Sequence, residues 1–209
     1  MIVITGGSGR LGQELVKLFK ADNKTVVSIA RHKNPEADHN ISCDFLVGGE
    51  VTSAAKDIES INEPLEAIIS AAGLYNAAPL GKISEEEIEL NMAIHAKAPM
   101  LLESELIDRI KKDGTDIVNI SSIAAINTST GAPAYSASKW ALRGFSADLR
   151  LALKEYPSRV VSLFPAAFGP EDDNNQMNVQ DVAKFIKQLL DLPKTMEVSE
   201  IIVNLKAAK

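Results

Sequence analysis

The sequence predicts a three-layer α/β fold, a doubly wound parallel sheet of about seven strands with helices on both faces. Three observations predict it. Short β-branched apolar runs recur along the chain, amphipathic helical stretches separate most of them, and a glycine-rich turn joins the first run directly to the first helix. Runs that are apolar at nearly every position suit strands buried on both faces, and strands alternating with helices suit parallel crossovers.

The strand-like runs are Ile2 to Thr5, Thr25 to Ala30, Ile41 to Asp44, Ala67 to Ala71, Asp116 to Ile120, Val160 to Pro165 and Ile201 to Leu205. A helix is predicted over Arg10 to Ala21, where Leu11, Leu15, Leu18 and Phe19 fall at three- and four-residue spacings. Ser84 followed by Glu87 forms a capping box and opens a helical stretch that runs past Pro99, where a break or kink is expected, toward Ile110. Pro133 suits the first turn of a helix reaching about Lys154. Asn178 and Asp181 open a last helix through Leu192, after a polar, acidic loop from Gly169 to Met177 that carries Glu171, Asp172 and Asp173.

Composition bounds the function. The 209 residues are 45% hydrophobic and 24% charged, which fits a single globular domain spanning 1–209. A net charge of -6 with no basic stripe argues against nucleic acid as a partner. Cys43 is the sole cysteine and has no clustered histidine, so neither a disulfide within the chain nor a zinc site is expected. The first strand begins at Ile2, leaving no room for a signal peptide, and no apolar run approaches the ~18 residues that span a bilayer. A cytoplasmic protein that engages no membrane is expected.

The turn Thr5-Gly6-Gly7-Ser8-Gly9-Arg10-Leu11-Gly12 lies between the first strand and the first helix. A pyrophosphate needs backbone N–H groups at a helix N-terminus and can approach only where side chains are missing; a third glycine lets helix and strand pack closely. Gly6, Gly9 and Gly12 stand at those places, with Ser8, Arg10 and Leu11 supplying the rest of the cradle. The second strand ends at Arg31 with no carboxylate to take a ribose 2′-hydroxyl. A guanidinium grips a 2′-phosphate instead, so Arg31, assisted by Arg10 and by the field of His32 and Lys33, argues for NADP, with NAD the other possibility.

Tyr135 and Lys139 are four residues apart on a predicted helix, hence on one face, and Ser122 stands thirteen positions before Tyr135 at the end of a buried run. Hydride addition to a carbonyl creates an alkoxide that must be protonated as it forms. A phenol can give that proton, a nearby ammonium is expected to draw the phenol's pKa toward neutrality, and a hydroxyl can hydrogen-bond the developing charge.

Together with the glycine turn, this set resembles the short-chain dehydrogenase/reductase family, over Thr5 to Pro165 and closest to its compact Rossmann-fold branch. The resemblance implies Tyr135 as general acid/base, Lys139 on the nicotinamide ribose, Ser122 on the substrate oxygen, and Asn91 as a fourth residue that helps hold a water in the proton relay. It also implies cofactor contacts from Asp44 beside the adenine, from Ala72 and Gly73 after the fourth strand, and from Pro165 after the sixth. His95, one turn beyond Asn91, is read as packing or interface, and Trp140, Phe145, Leu149 and Leu153 as core or subunit contact.

Departures from the family pattern are visible. Arg10 occupies the place of a glycine; Ser70-Ala71-Ala72-Gly73 lacks an asparagine that braces the sheet; Ala166 replaces a glycine; and Pro170 stands where a threonine often touches the nicotinamide. The expected activity is an NADP-dependent interconversion of a small carbonyl compound and an alcohol, by a homodimer or homotetramer. A cofactor-binding sensor or scaffold with little catalysis is the alternative. A sugar-nucleotide epimerase is disfavoured, because only about 70 residues follow Lys139.

Overall fold

The computed structural model describes residues 1–127, 131–170 and 176–206. The acidic residues Glu171, Asp172 and Asp173 lie outside them. Seven strands form one parallel sheet: β1 (Ile2–Thr5), β2 (Val26–Ala30), β3 (His39–Ser42), β4 (Ala67–Ser70), β5 (Asp116–Ile120), β6 (Val160–Pro165) and, last in the chain, β9 (Glu200–Val203). Their order is β3-β2-β1-β4-β5-β6-β9, every neighbour pair parallel. A two-residue pair, β7 (Phe168–Gly169) with β8 (Met177–Asn178), stands apart. The order reverses between β1 and β4, and in such sheets ligands bind outside the carboxyl ends of the strands at that switch.

Helix α1 (Arg10–Ala21) matches its sequence pattern residue for residue, burying Leu11, Leu15, Val16 and Phe19. With α7 (Val179–Leu190) it covers one face of the sheet, against Ile2, Ile4, Ile69 and Leu163. The other face is covered by α2 (Glu50–Ser60), α4 (Ala98–Glu105), α5 (Ile107–Asp113) and α6 (Pro133–Ala152), packed on Val3, Ile29, Ile68 and Ile117. Helix α2 goes unread in the sequence; Val51, Ala54, Ala55 and Ile58 form its buried face, and two of those four are alanines that weaken an apolar stripe.

Ser84 is the N-cap of α3 (Glu85–Met92), its Oγ accepting from the Glu87 N–H, while the carboxylate that meets the Ser84 side chain is that of Glu86. The break expected at Pro99 falls earlier. A π-turn occupies Ala93–Lys97, and Pro99 then sits in the first turn of α4, where its missing N–H costs nothing. At the amino end of the sheet Asp116 receives Arg159 at 2.6 Å and Lys194 at 2.7 Å, while the same guanidinium donates to the carbonyls of Leu190, Leu192, Pro193 and Met196. That cluster closes the carboxyl end of α7 and pins the segment leading to β9.

Candidate active site

The turn after β1 is shaped by close approaches. Gly6 has φ +69°, and a Cβ there would lie 2.7 Å from Ala72 Cα, so both conformation and space demand glycine. A Cβ at Gly12 would stand 2.1 Å from the Gly6 carbonyl oxygen, which makes that glycine a packing requirement of helix on turn. Gly9, the N-cap residue, is exposed, and α1 has neither a side-chain cap nor an acid in its first turn. Backbone N–H groups of that turn, at Arg10, Leu11 and Gly12, are thus free of side-chain competitors, as a phosphate cradle requires. Leu11 points its side chain into the core, Ser8 is half-buried and Arg10 is exposed.

Beyond β2, Arg31, His32 and Lys33 are all exposed and line a small cleft of about 120 Å³ with Asn40 and Ser42. Asp44 is half-buried and its Oδ1 accepts from the Leu46 N–H, closing a turn beside β3. On the other side of the switch, the Ala72 N–H donates to Thr5 Oγ1 at 3.1 Å, and Gly73 is exposed. The missing asparagine brace after β4 has a substitute in Ser70, whose Oγ donates to buried Glu103 at 3.1 Å. Pro165 ends β6 buried, at the edge of a cavity of about 300 Å³ walled by Leu163, Met177, Val182 and Phe185. Pro170 is exposed.

Ser122, Tyr135 and Lys139 converge. Ser122 follows β5, accepts from the Ala124 N–H at 3.2 Å and hydrogen-bonds the Tyr135 phenol. Helix α6 presents Tyr135 and Lys139 on one face, the Lys139 Nζ 5.8 Å from the Tyr135 ring centre. That amine is buried and donates to the Ile120 carbonyl at 2.8 Å. Burial pushes Lys139 down to about 7, and burial, opposed by the Ser122 bond, pushes the Tyr135 phenol up. Here the electrostatics depart from expectation. The dominant effect on both groups is loss of water, which favours their neutral forms, and no lowering of the phenol by Lys139 is evident.

Asn91 is buried on α3, where its Nδ2 donates to Asn76 Oδ1 at 3.0 Å and to the Glu87 carbonyl at 2.8 Å. Its Oδ1 has no partner among the described residues. The side chain that reaches the Tyr135 ring from this stretch is instead His95, inside the π-turn, with ring centroids 5.2 Å apart. Tyr75 meets the same ring edge-on at 5.2 Å and is itself 70% exposed. Neither contact was legible beforehand, because Tyr75 and His95 sit on segments joined to Tyr135 only by the fold. Among the described residues no group of three His, Cys, Asp or Glu side chains is placed to hold a metal ion.

Comparison with known proteins places these features in a context. The family model described as short chain dehydrogenase matches residues 1–181. Benzil reductase ((S)-benzoin forming) of Bacillus cereus is 29% identical over 202 residues, covering 88% of this chain and 80% of that protein. A crystal structure of a short-chain dehydrogenase/reductase from Vibrio parahaemolyticus superposes with TM-score 0.87 at 25% identity, over 99% of this chain and 100% of that one. The closed form of serine dehydrogenase complexed with NADP+ shares the fold, with TM-score 0.86 at 19% identity over 97% of this chain and 94% of that one.

Proposed function

This chain belongs to the short-chain dehydrogenase family, and on that premise we propose that it is an NADP-dependent oxidoreductase interconverting a carbonyl compound and an alcohol, with Tyr135 as general acid/base. The observation that carries the reading is the meeting of Tyr135 with the Ser122 hydroxyl and the Lys139 amine at the carboxyl rim of the sheet, the rim that also carries the β1–α1 turn.

The residues fit a dinucleotide. The uncapped first turn of α1 offers backbone donors to a pyrophosphate, with the exposed Gly9 leaving room. Arg31, with Lys33 and Arg10, would supply positive charge for a 2′-phosphate, and Asp44, half-buried after β3, would take the adenine amine. Ala72 and Gly73, after β4, and Pro165, at the end of β6, would border the nicotinamide. When bound, the nicotinamide supplies or accepts the hydride.

The chain's own groups manage the proton. Tyr135 donates its hydroxyl hydrogen to the substrate oxygen as a carbonyl is reduced, and accepts it back in the oxidative direction. Ser122 donates a hydrogen bond that strengthens as charge grows on that oxygen. Lys139, brought by burial to a pKa of about 7, would hold the ribose and, in its ammonium form, return a proton to the phenolate. Asn91, whose bound amide group leaves Oδ1 unpartnered, is placed to fix a water on the route outward.

A first panel of substrates is led by benzil and simple aryl ketones and aldehydes, following the Bacillus cereus relative. NADPH oxidation by the parent and loss of at least about a hundredfold in Tyr135→Phe are expected; turnover by Tyr135→Phe within severalfold of the parent refutes the assignment. Calorimetric titration is expected to favour NADPH over NADH, and Arg31→Ala to erase that preference. Equal affinities in the parent would refute the reading of Arg31.

A further inference from the structure

His95 is buried, whereas the chain's other two histidines, His32 and His39, are exposed. Both of its ring nitrogens are engaged. Nε2 lies 3.2 Å from the Leu74 backbone nitrogen. A backbone N–H can only donate, so Nε2 is the acceptor and carries no hydrogen. A neutral imidazole then holds its hydrogen on Nδ1, which is 2.9 Å from Ser138 Oγ. Ser138 gives its own hydrogen to the Tyr135 carbonyl at 2.7 Å, leaving an oxygen lone pair to receive Nδ1–H. Each hydrogen thus has one acceptor, in a directed chain from Leu74 through His95 and Ser138 to Tyr135.

The ring adds a second contact. It stands at 88° to the Tyr135 ring, with Tyr75 at 82° also packed on that ring. The neighbouring residue Asn76 accepts from Asn91. Three consecutive residues after β4 therefore dock on the site, Leu74 on His95, Tyr75 on Tyr135 and Asn76 on Asn91.

We propose that His95 is a positioning residue for Tyr135, a permanently neutral imidazole that fixes the backbone and ring of the proton donor through Ser138. The inference rests on the assignment of Tyr135 as general acid/base. Burial and the Lys139 amine oppose protonation. The groups facing His95 are Tyr135 and the Lys139 amine from α6, with the Leu74 N–H and Tyr75 from the segment after β4. A second ring hydrogen would point at the Leu74 N–H, donor against donor. Burial first, and then the Lys139 charge, push the imidazole down to about 2. His95 lies buried within the π-turn, a kind of irregularity concentrated at functional sites.

Nitrogen-15 NMR of the imidazoles in the full chain reads the tautomer without any substrate. His95 is expected to stay neutral with its hydrogen on Nδ1 from about pH 5 to 9. A hydrogen on Nε2, or titration of His95 near pH 6.5, overturns the proposal.

Kinetics with NADPH and the best substrate of the benzil-led panel give the second test. His95→Leu and Ser138→Ala are each expected to lower kcat about tenfold, to leave KM and the NADPH dissociation constant within about twofold, and to move the tyrosine limb of the pH profile upward. His95→Asn, whose amide still reaches Ser138, is expected to recover most of the loss. Values of kcat within about twofold of the parent in both Leu and Ala variants overturn the proposal when Tyr135→Phe is inactive. Should His95→Leu fail to fold, Ser138→Ala with an unchanged circular dichroism spectrum decides alone. An active Tyr135→Phe removes the general-acid assignment instead, and the NMR result then stands separately as a statement about His95.

Discussion

At Lys139 the demands of folding and of chemistry oppose one another. The residue is 4% exposed, and the chief described partner of its amine is one carbonyl, that of Ile120. Burial pushes its pKa down from 10.5 to about 7. A folded-state value below the unfolded one means that the unfolded chain holds the extra proton between those pH values, so the penalty on the folded state is full below about pH 7 and fades as pH rises toward 10.5. Lys139→Met is therefore expected to abolish turnover and yet raise the melting temperature by several degrees at pH 6, with the gain gone by about pH 10. Calorimetric scans across pH check this, and a variant less stable than the parent at pH 6 would contradict it. Tyr135, Lys139 and Ser122 were legible because spacing on a helix and position at a strand end are local facts. His95 was not, since its role exists only where Leu74 and Ser138 close around it.

Among the elements, α4 carries the clearest internal tension. Glu103 is fully buried and receives Ser70 from β4 and Asn119 from β5, the latter also donating to Ser146 on α6. This network stands in for the sheet brace absent after β4. Burial pushes the carboxyl from 4.5 up to about 8, so the folded chain keeps a proton that the unfolded chain releases, and stability falls as pH rises between those values. Glu103→Gln, which keeps the shape without the acid, is expected to match the parent near pH 4.5 and to exceed it by a few kcal/mol at pH 8 and above, read from urea midpoints. A difference independent of pH would show that the carboxyl ionises freely in the core. The sequence revealed α1 and α6 in nearly full extent, because caps, prolines and large apolar residues mark their ends and faces. It missed α2, whose stripe is half alanine, and it put the irregularity of the α3–α4 stretch at Pro99. The π-turn before it has no side-chain signature.

Across the whole molecule, all seven strands of the main sheet point the same way, so their carboxyl ends share one rim and their amino ends the other. The fold class followed from alternation and a glycine turn, whereas the strand order emerges only in the folded chain. Assembly is a property the sequence only implies. The outer side of α6 leaves Trp140 43% and Leu151 72% exposed, and both are expected to be covered by a second copy. Sedimentation should find the parent as a dimer or tetramer and Leu151→Glu with its dissociation constant raised about tenfold or more; a monomeric parent would end the inference. The Asp116–Arg159–Lys194 cluster fastens one rim, while the segment from Leu74 to Leu80 borders the chemistry on the other. Anchorage and selectivity are thereby uncoupled in space. Ala77 and Leu80 are exposed on that segment and Tyr75 rests on the Tyr135 ring, so a library randomised at Ala77 and Leu80 with Tyr75 kept should yield mostly folded proteins with divergent appetites for carbonyl compounds, making this scaffold retrainable without loosening its foundations.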